Sequence, residues 1–187
     1  SSSLLERQSR LQNNAASKAY FYKADGSAYQ LGETLAQKDL ASTLSRIAKD
    51  GRSGFYQGKT ADLIVAEMQR SGGLISRQDL ANYQVVERTP ICGDYRDNRV
   101  CAMPPPSSGG VHMLQMLNIL EGWDLTSLGH NSAAYLHRLV ESMRRAYADR
   151  SQYLGDPDFF PVPVAELTAK KYAARLRGEI DLQRASR

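Results

Sequence analysis

The sequence contains no long hydrophobic run. No apolar stretch approaches the roughly 18 to 20 residues that a membrane-crossing helix needs, so a transmembrane helix is excluded. Histidine and cysteine are scarce, with three and two in 187 residues. There is no His-Glu-x-x-His and no Cys-x-x-Cys, and His130 and His137 stand seven positions apart. The spacing of a zinc or redox site is missing, and neither a metal nor a cofactor is expected. Charge of one sign is also limited: 24 Lys and Arg face 20 Asp and Glu, a net charge of +4. The basic residues are interleaved with acids, and even the dense stretch Arg138 to Arg150 carries Glu141 and Asp149. A solvated helix face explains that pattern better than a nucleic-acid surface. The opening Ser1-Ser2-Ser3-Leu4-Leu5-Glu6-Arg7 lacks a signal-peptide pattern. That says nothing of location if the chain is a piece of a longer protein, which is the expectation here.

What is present is mostly helical periodicity. Residues 1–19 are expected to form a short helix and a connection, and residues 20–187 a helical domain with a hairpin near 89–103. Ala19-Tyr20-Phe21-Tyr22 looks extended, and Lys23-Ala24-Asp25-Gly26-Ser27 has the composition of a turn. From Gln37 to Gly51, Leu40, Leu44, Ile47 and Ala48 share one helical face. A helix over 59–70 carries Leu63, Ile64 and Met68, with Ala61 and Val65 beside them, and Gly72-Gly73 stops it. Phe55-Tyr56-Gln57-Gly58 reads as a packed corner. Ser76 with Asp79 resembles a capping box opening a short helix to about Asn82. A helix is expected over 108–121, and a last one over 167–178. The longest begins at His130-Asn131-Ser132 and runs to Tyr153, with Leu136, Leu139, Val140, Met143, Ala146 and Tyr147 as its buried stripe. The fold class is therefore mainly α: about five to six helices and one β-hairpin.

Cys92 and Cys101 flank the hairpin. If Arg96-Asp97 is a two-residue turn, the cysteines fall opposite each other at a non-hydrogen-bonded pair, where side chains come closest. A cross-strand disulfide and two reduced thiols both remain open, since a one-residue change in the turn removes the alignment. A disulfide would suit an oxidising compartment.

The most distinctive stretch is Met103-Pro104-Pro105-Pro106-Ser107-Ser108-Gly109-Gly110, followed at once by the apolar helix Val111-His112-Met113-Leu114-Gln115-Met116-Leu117. Three prolines stiffen the approach. The serines can cap helix N–H groups, and the glycines let other backbone come close. Ser107 or Ser108 as a nucleophile would need a base, and no spacing ties His112, His130 or His137 to them. Capping is the better reading. Asp156 and Asp158 are placed to form a turn rather than to bind calcium. Arg144 and Arg145, with Arg138 and Arg150, could clamp a carboxylate. Their face opposes much of the apolar stripe, which favours solvent or an interchain ion pair. Asp149 or Arg150, beside Tyr147, is expected to be half-buried and structurally paired, within this chain or against a partner segment.

An ordered series of motifs runs through the chain. It comprises Gly72-Gly73-Leu74-Ile75, Asp79-Leu80, Thr89-Pro90, Gly93-Asp94-Tyr95-Arg96 and Met103 to Gly110. After these come Leu117-Asn118-Ile119-Leu120, Ala146-Tyr147-Ala148-Asp149-Arg150 and Leu154-Gly155-Asp156-Pro157-Asp158-Phe159. From about Tyr20 to Asp181 the chain resembles the large subunit of bacterial γ-glutamyltranspeptidase, in its C-terminal, mostly helical part. The resemblance implies a precursor that cuts itself into large and small subunits, an αββα core of the N-terminal-nucleophile class, and a periplasmic or secreted location. It implies that the new N-terminal threonine of the small subunit attacks a γ-glutamyl amide such as glutathione. The threonine and the small-subunit contacts follow this region, and the arginine for the substrate carboxylate precedes it. No catalytic, substrate-binding or metal residue is therefore carried onto this chain, and alone it is expected to be inactive. Its expected role is a scaffold, with Pro105, Pro106, Ser107, Ser108, Gly109 and Gly110 near the junction with the small subunit. The alternatives are a piece of a related cephalosporin or glutaryl acylase, and a free-standing helical interaction domain.

Overall fold

The computed structural model describes residues 6–186. The chain packs as two units, Ser1–Val85 and Val86–Arg187. Both are dominated by helices, and the described strands form one two-stranded antiparallel hairpin.

The first unit holds α1 (Gln8–Gln12), α2 (Ala15–Phe21), α3 (Lys38–Asp50), α4 (Ser53–Tyr56), α5 (Gly58–Ser71) and α6 (Arg77–Asn82). Asn14 caps α2 by accepting from the Ser17 N–H at 2.9 Å. The helix runs through Phe21, so Ala19 to Phe21 are helical rather than extended, and only Tyr22 bridges to Ala28 across the expected turn. Ser76 and Asp79 close the capping box of α6 reciprocally. Small residues make the α3–α4–α5 contact. A Cβ at Gly54 would overlap the Arg46 carbonyl. Thr60 donates to the Gly54 carbonyl at 2.8 Å and accepts from Arg46 Nε at 2.9 Å. Ala61 is fully buried, whereas Leu40, Leu44 and Leu63 are exposed. The α3 and α5 periods are right as helices, but Leu40, Leu44 and Leu63 of their expected stripes are exposed, while Ile47, Ile64 and Met68 are half-buried.

The second unit holds β1 (Ile91–Tyr95), β2 (Asn98–Ala102), α7 (Gly109–Leu120), α8 (Ala133–Tyr153), α9 (Val164–Leu167) and α10 (Lys170–Gly178). The expected helix 167–178 is thus two segments broken after Leu167. The hairpin turns on Arg96-Asp97, with Arg96 at φ +53°, and pairs Cys92 with Cys101. Those two are joined as a disulfide. Arg96 N–H donates to Glu121 at 2.6 Å, and Lys170 reaches both Glu121 and the Asp94 carbonyl, fastening the turn to the helices.

Helix α7 is the hub. It buries Val111, Leu114, Ile119 and Leu120, together with His112, Gln115 and Asn118. Ile119 joins Ala173, Leu176 and Ile180 in a core flanked by Trp123 and Tyr172. Helix α8 differs from the sequence expectation. Of the stripe Leu136, Leu139, Val140, Met143, Ala146 and Tyr147, only Ala146 is buried. The buried face instead carries Glu141 and Ser142, with Arg145 close behind. The reason lies in α10. Its last carbonyls lack regular helical donors: Leu176 O takes a long 3.3 Å bond from Glu179 N–H, and Arg145 donates to Leu176 O at 3.1 Å and Glu179 O at 3.0 Å. Arg145 also pairs with Glu141 at 2.7 Å. Arg177 does the same for α7, reaching the Asn118 and Ile119 carbonyls over Gly122.

Burial pushes the Glu141 carboxyl up. Donors from Ser186 and Arg145 outweigh it and hold the group down, at about 2 against an ordinary 4.5. A depressed carboxylate stabilises the fold fully above its unfolded value and loses that contribution as pH falls toward the folded one. Thermal unfolding of Glu141→Gln should show a loss of about 3 kcal/mol at neutral pH, because Arg145 is left unpaired. The difference from wild type should shrink between about pH 4.5 and 2. Replacing both cysteines by serine should cost about 2 kcal/mol, read in the same way, since the closed loop is short.

Candidate functional site

The Pro105–Gly110 loop joins β2 to α7. The Pro105–Pro106 peptide is cis, and Ser107 N–H closes a turn onto the Pro104 carbonyl at 3.2 Å. Pro105 and Gly110 are buried, Ser108 is half-buried, and Pro106, Ser107 and Gly109 are exposed. The two glycines are not equivalent. A Cβ on Gly110 would overlap the Met103 carbonyl and sit 3.0 Å from Ile91 Cδ1. A Cβ on Gly109 would meet only Ser107 Oγ, at an ordinary 3.6 Å. Gly110 alone lets the first turn of α7 slide beneath β1.

The serines divide their work. Ser107 Oγ accepts a long bond from Gly109 N–H at 3.4 Å. Ser108 occupies the N-cap position but makes no capping bond. Its Oγ accepts instead from Arg150 Nε at 3.3 Å, tying the loop to the last turn of α8. The expectation of capping serines is corrected for Ser108, whose backbone is helical and whose hydroxyl makes no cap, while Ser107 takes the first N–H of α7 by a long bond. Pro106, Ser108, Arg150, Ser151, Leu154 and Gly155 line a cleft of about 290 Å³.

No base serves either serine among the described residues. His112 is buried one turn into α7, 5.1 Å from the Tyr147 ring, and its Nε2 has no partner. Burial lowers its pKa, and the Arg150 charge adds to this. His137 contacts the Asp181 carbonyl at 2.7 Å, and His130 lies beside Asn131. Among the described residues no three His, Cys, Asp or Glu side chains gather as a metal site. Arg88 holds Asp158 at 2.6 Å, with Asp156 at 3.9 Å.

The arginines separate likewise. Arg145 is consumed by α10 and Glu141, and Arg138 lies over the Trp123 ring. Arg144 is exposed. The outward or interchain reading of this face is corrected for Arg145, which turns inward to the acceptors at the end of α10, and for Arg138, which bonds the Ala134 carbonyl of its own helix and lies over Trp123. Asp149 is half-buried and takes bonds from Gln115 and from Tyr172 at 2.8 Å. Burial, then the bond and charge of Asp149, push the Tyr172 hydroxyl up to about 12, so it stays a proton donor. A half-buried, structurally paired Asp149 matches the sequence expectation, Arg150 is exposed, and the partners themselves, Gln115 and Tyr172 for Asp149 and Ser108 for Arg150, escaped sequence reasoning. Their only sequence signal is a polar residue recurring on a face shared with buried positions.

The comparisons agree with this architecture. A family profile described as gamma-glutamyltranspeptidase matches residues 1–187. The chain is 50% identical over 175 residues to the glutathione hydrolase proenzyme of Escherichia coli (strain K12), covering 94% of this chain and 30% of that protein. It is 45% identical over 160 residues to the acylase ACY 1 proenzyme of Pseudomonas sp. (strain SE83), covering 86% of this chain and 29% of that one. The solved Helicobacter pylori gamma-glutamyltranspeptidase superimposes with a TM-score of 0.93 at 44% identity, over 99% of this chain and 53% of that chain. The chain thus spans about 30% of the length of the curated relatives it matches. With the ordered motifs lying on matched helices and hairpin, the chain belongs to the gamma-glutamyltranspeptidase family.

Proposed function

We propose that these residues are the C-terminal, mostly helical scaffold of the large subunit of a γ-glutamyltransferase that transfers or hydrolyses γ-glutamyl groups of glutathione and related amides. In this reading the precursor cuts itself, and the N-terminal threonine of the small subunit attacks the amide. That threonine's own amine serves as base, and the acyl group passes to water or to an amino acid. The whole enzyme has the αββα core of N-terminal-nucleophile enzymes, requires no cofactor, and acts in the periplasm or outside the cell. The loop Pro105–Gly110 lies near the subunit junction, and this chain supplies none of the reacting groups.

The observation that carries the reading is the 50% identity, over 94% of this chain, to a protein named glutathione hydrolase proenzyme. The word proenzyme supports a processed precursor. So does the larger share of a solved relative's chain that is covered, 53%, against 30% of a proenzyme. The Cys92–Cys101 disulfide supports an oxidising compartment. A second reading, a related acylase, is favoured by the 45% identity to acylase ACY 1 proenzyme. Assaying the full protein on γ-glutamyl-p-nitroanilide and on glutaryl cephalosporin separates the two.

Mass spectrometry of the full native protein should find a heavy and a light chain from one precursor. The two-chain protein should turn over γ-glutamyl-p-nitroanilide, and the 187-residue chain should not. Turnover by the isolated chain would refute the scaffold reading. In the full precursor, Gly110→Val should reduce self-cleavage or subunit assembly about tenfold by displacing the start of α7. Gly109→Ala should mature normally. Equal behaviour of the two variants on a denaturing gel would remove the loop from the junction.

A further inference from the structure

The Cys92–Cys101 disulfide sits at the open end of the hairpin. Strands β1 and β2 pair over five rungs, from Ile91–Ala102 to Tyr95–Asn98. The turn end is fastened from outside, by Glu121 on the Arg96 N–H and by Lys170 on the Asp94 carbonyl. The open end is built differently. Pro90 precedes β1, and Pro104 follows Met103 at the exit of β2. Neither proline has an N–H to give, and the ladder stops at Ile91–Ala102. A two-stranded ladder is marginal by itself. The disulfide, one rung in from that end, is a covalent tie across it.

What the tie holds closed is the socket for α7. A side chain on Gly110 would meet one neighbour from each strand: Ile91, next to Cys92, and the Met103 carbonyl, two residues beyond Cys101. Arg88 anchors the approach to β1 on Asp158 at 2.6 Å. The exit of β2 runs straight into the Pro105–Gly110 loop. If the open end parts, the β2 side therefore moves, and Met103 and the loop move with it.

The bridge also faces outward. On the inner face Gly93 lies against Leu114. On the outer face Cys92 and Cys101 are exposed. They share it with Asp94 and Arg99, which stand opposite each other in the register and are exposed too. A charged face stays in water when further chain packs onto apolar surface. A small thiol can therefore reach the bridge.

We propose that Cys92–Cys101 is a thiol–disulfide exchange site, at which a low-molecular-weight thiol opens the bridge and loosens the Pro105–Gly110 loop and the first turn of α7, and reoxidation fastens them again. The thiolate attacks one cysteine sulfur, the S–S bond breaks, and its electron pair leaves on the other sulfur, which takes a proton from water. A second thiol attacks the mixed disulfide in the same way. The protein bridge is reduced to two thiols, and two small thiols are oxidised to their own disulfide. None of these steps needs a γ-glutamyl group, so the exchange is independent of the reaction proposed above.

The test treats the full native protein, without denaturant, with 2-mercaptoethanol, blocks it with N-ethylmaleimide and maps the label by mass spectrometry. Cys92 and Cys101 should both become labelled, and brief treatment should trap a mixed disulfide with one mercaptoethanol. In hydrogen exchange, peptides covering residues 103–112 should exchange about tenfold faster after reduction, and those covering α10 should stay within about twofold. Reoxidation should restore the slow rate. Cys92→Ser/Cys101→Ser should show the fast loop with or without thiol. A bridge that resists the thiol in the folded protein, or labelling that leaves the loop rate unchanged, overturns the proposal. So does a change shared equally by α10, a change that reoxidation does not reverse, or a thiol response that survives in the double-serine variant.

Discussion

The Glu141–Arg145 pair organises the second unit. Arg145 spends every guanidinium nitrogen inside the protein, on Glu141 and on the Leu176 and Glu179 carbonyls at the end of α10. Glu141 in turn receives Ser186 through both its N–H and its hydroxyl. One buried ion pair thus joins α8, the C-terminal end of α10 and the segment beyond it. Neither partner could be buried alone, because an uncompensated charge in this setting costs several kcal/mol. The rotation of α8 about its own axis follows from that requirement. The polar face must turn inward, so the apolar face must turn outward.

That rotation gives the family assignment a structural sense. A self-sufficient helical domain would have placed Leu136, Val140 and Met143 in its core. Here they stand outside, as do Leu40, Leu44 and Leu63 in the first unit. The first unit closes largely through small residues and hydrogen-bonded polar groups, whereas the second buries Val111, Leu114, Ile119, Leu176 and Ile180 and leaves the apolar row of α8 outside. This is the surface expected of a part that packs against more protein. It agrees with a chain covering 30% of its curated relatives' length.

The Pro/Ser/Gly loop works by the same economy of contacts. Gly110 removes a side chain where α7 passes under the Met103 carbonyl, and Ser108 passes its hydroxyl to Arg150 instead of to its own helix. The loop is therefore fastened at both ends, to β1 through a close approach and to α8 through a charged donor. Around it, α7 carries three buried polar residues, His112, Gln115 and Asn118. Gln115 and Asn118 find partners in Asp149 and the Thr168 carbonyl.

Local sequence was enough for the helices α3, α5, α6, α7 and α8, for the existence of the hairpin, and for the ordered motifs that identify the family, while the hairpin register stayed conditional on its turn length until the structure fixed it. Caps, turn residues and periodicity act within a few residues, so each can be read along the chain. The direction each helix faces could not be read that way. Periodicity shows that α8 has an apolar side and a polar side, and it assigns the apolar side to the core by default. Only the tertiary structure shows that the C-terminal carbonyls of α10 arrive on the other side and need donors. Hydrogen bonds to orphan carbonyls depend on a segment some thirty residues away, and no local pattern encodes that distance.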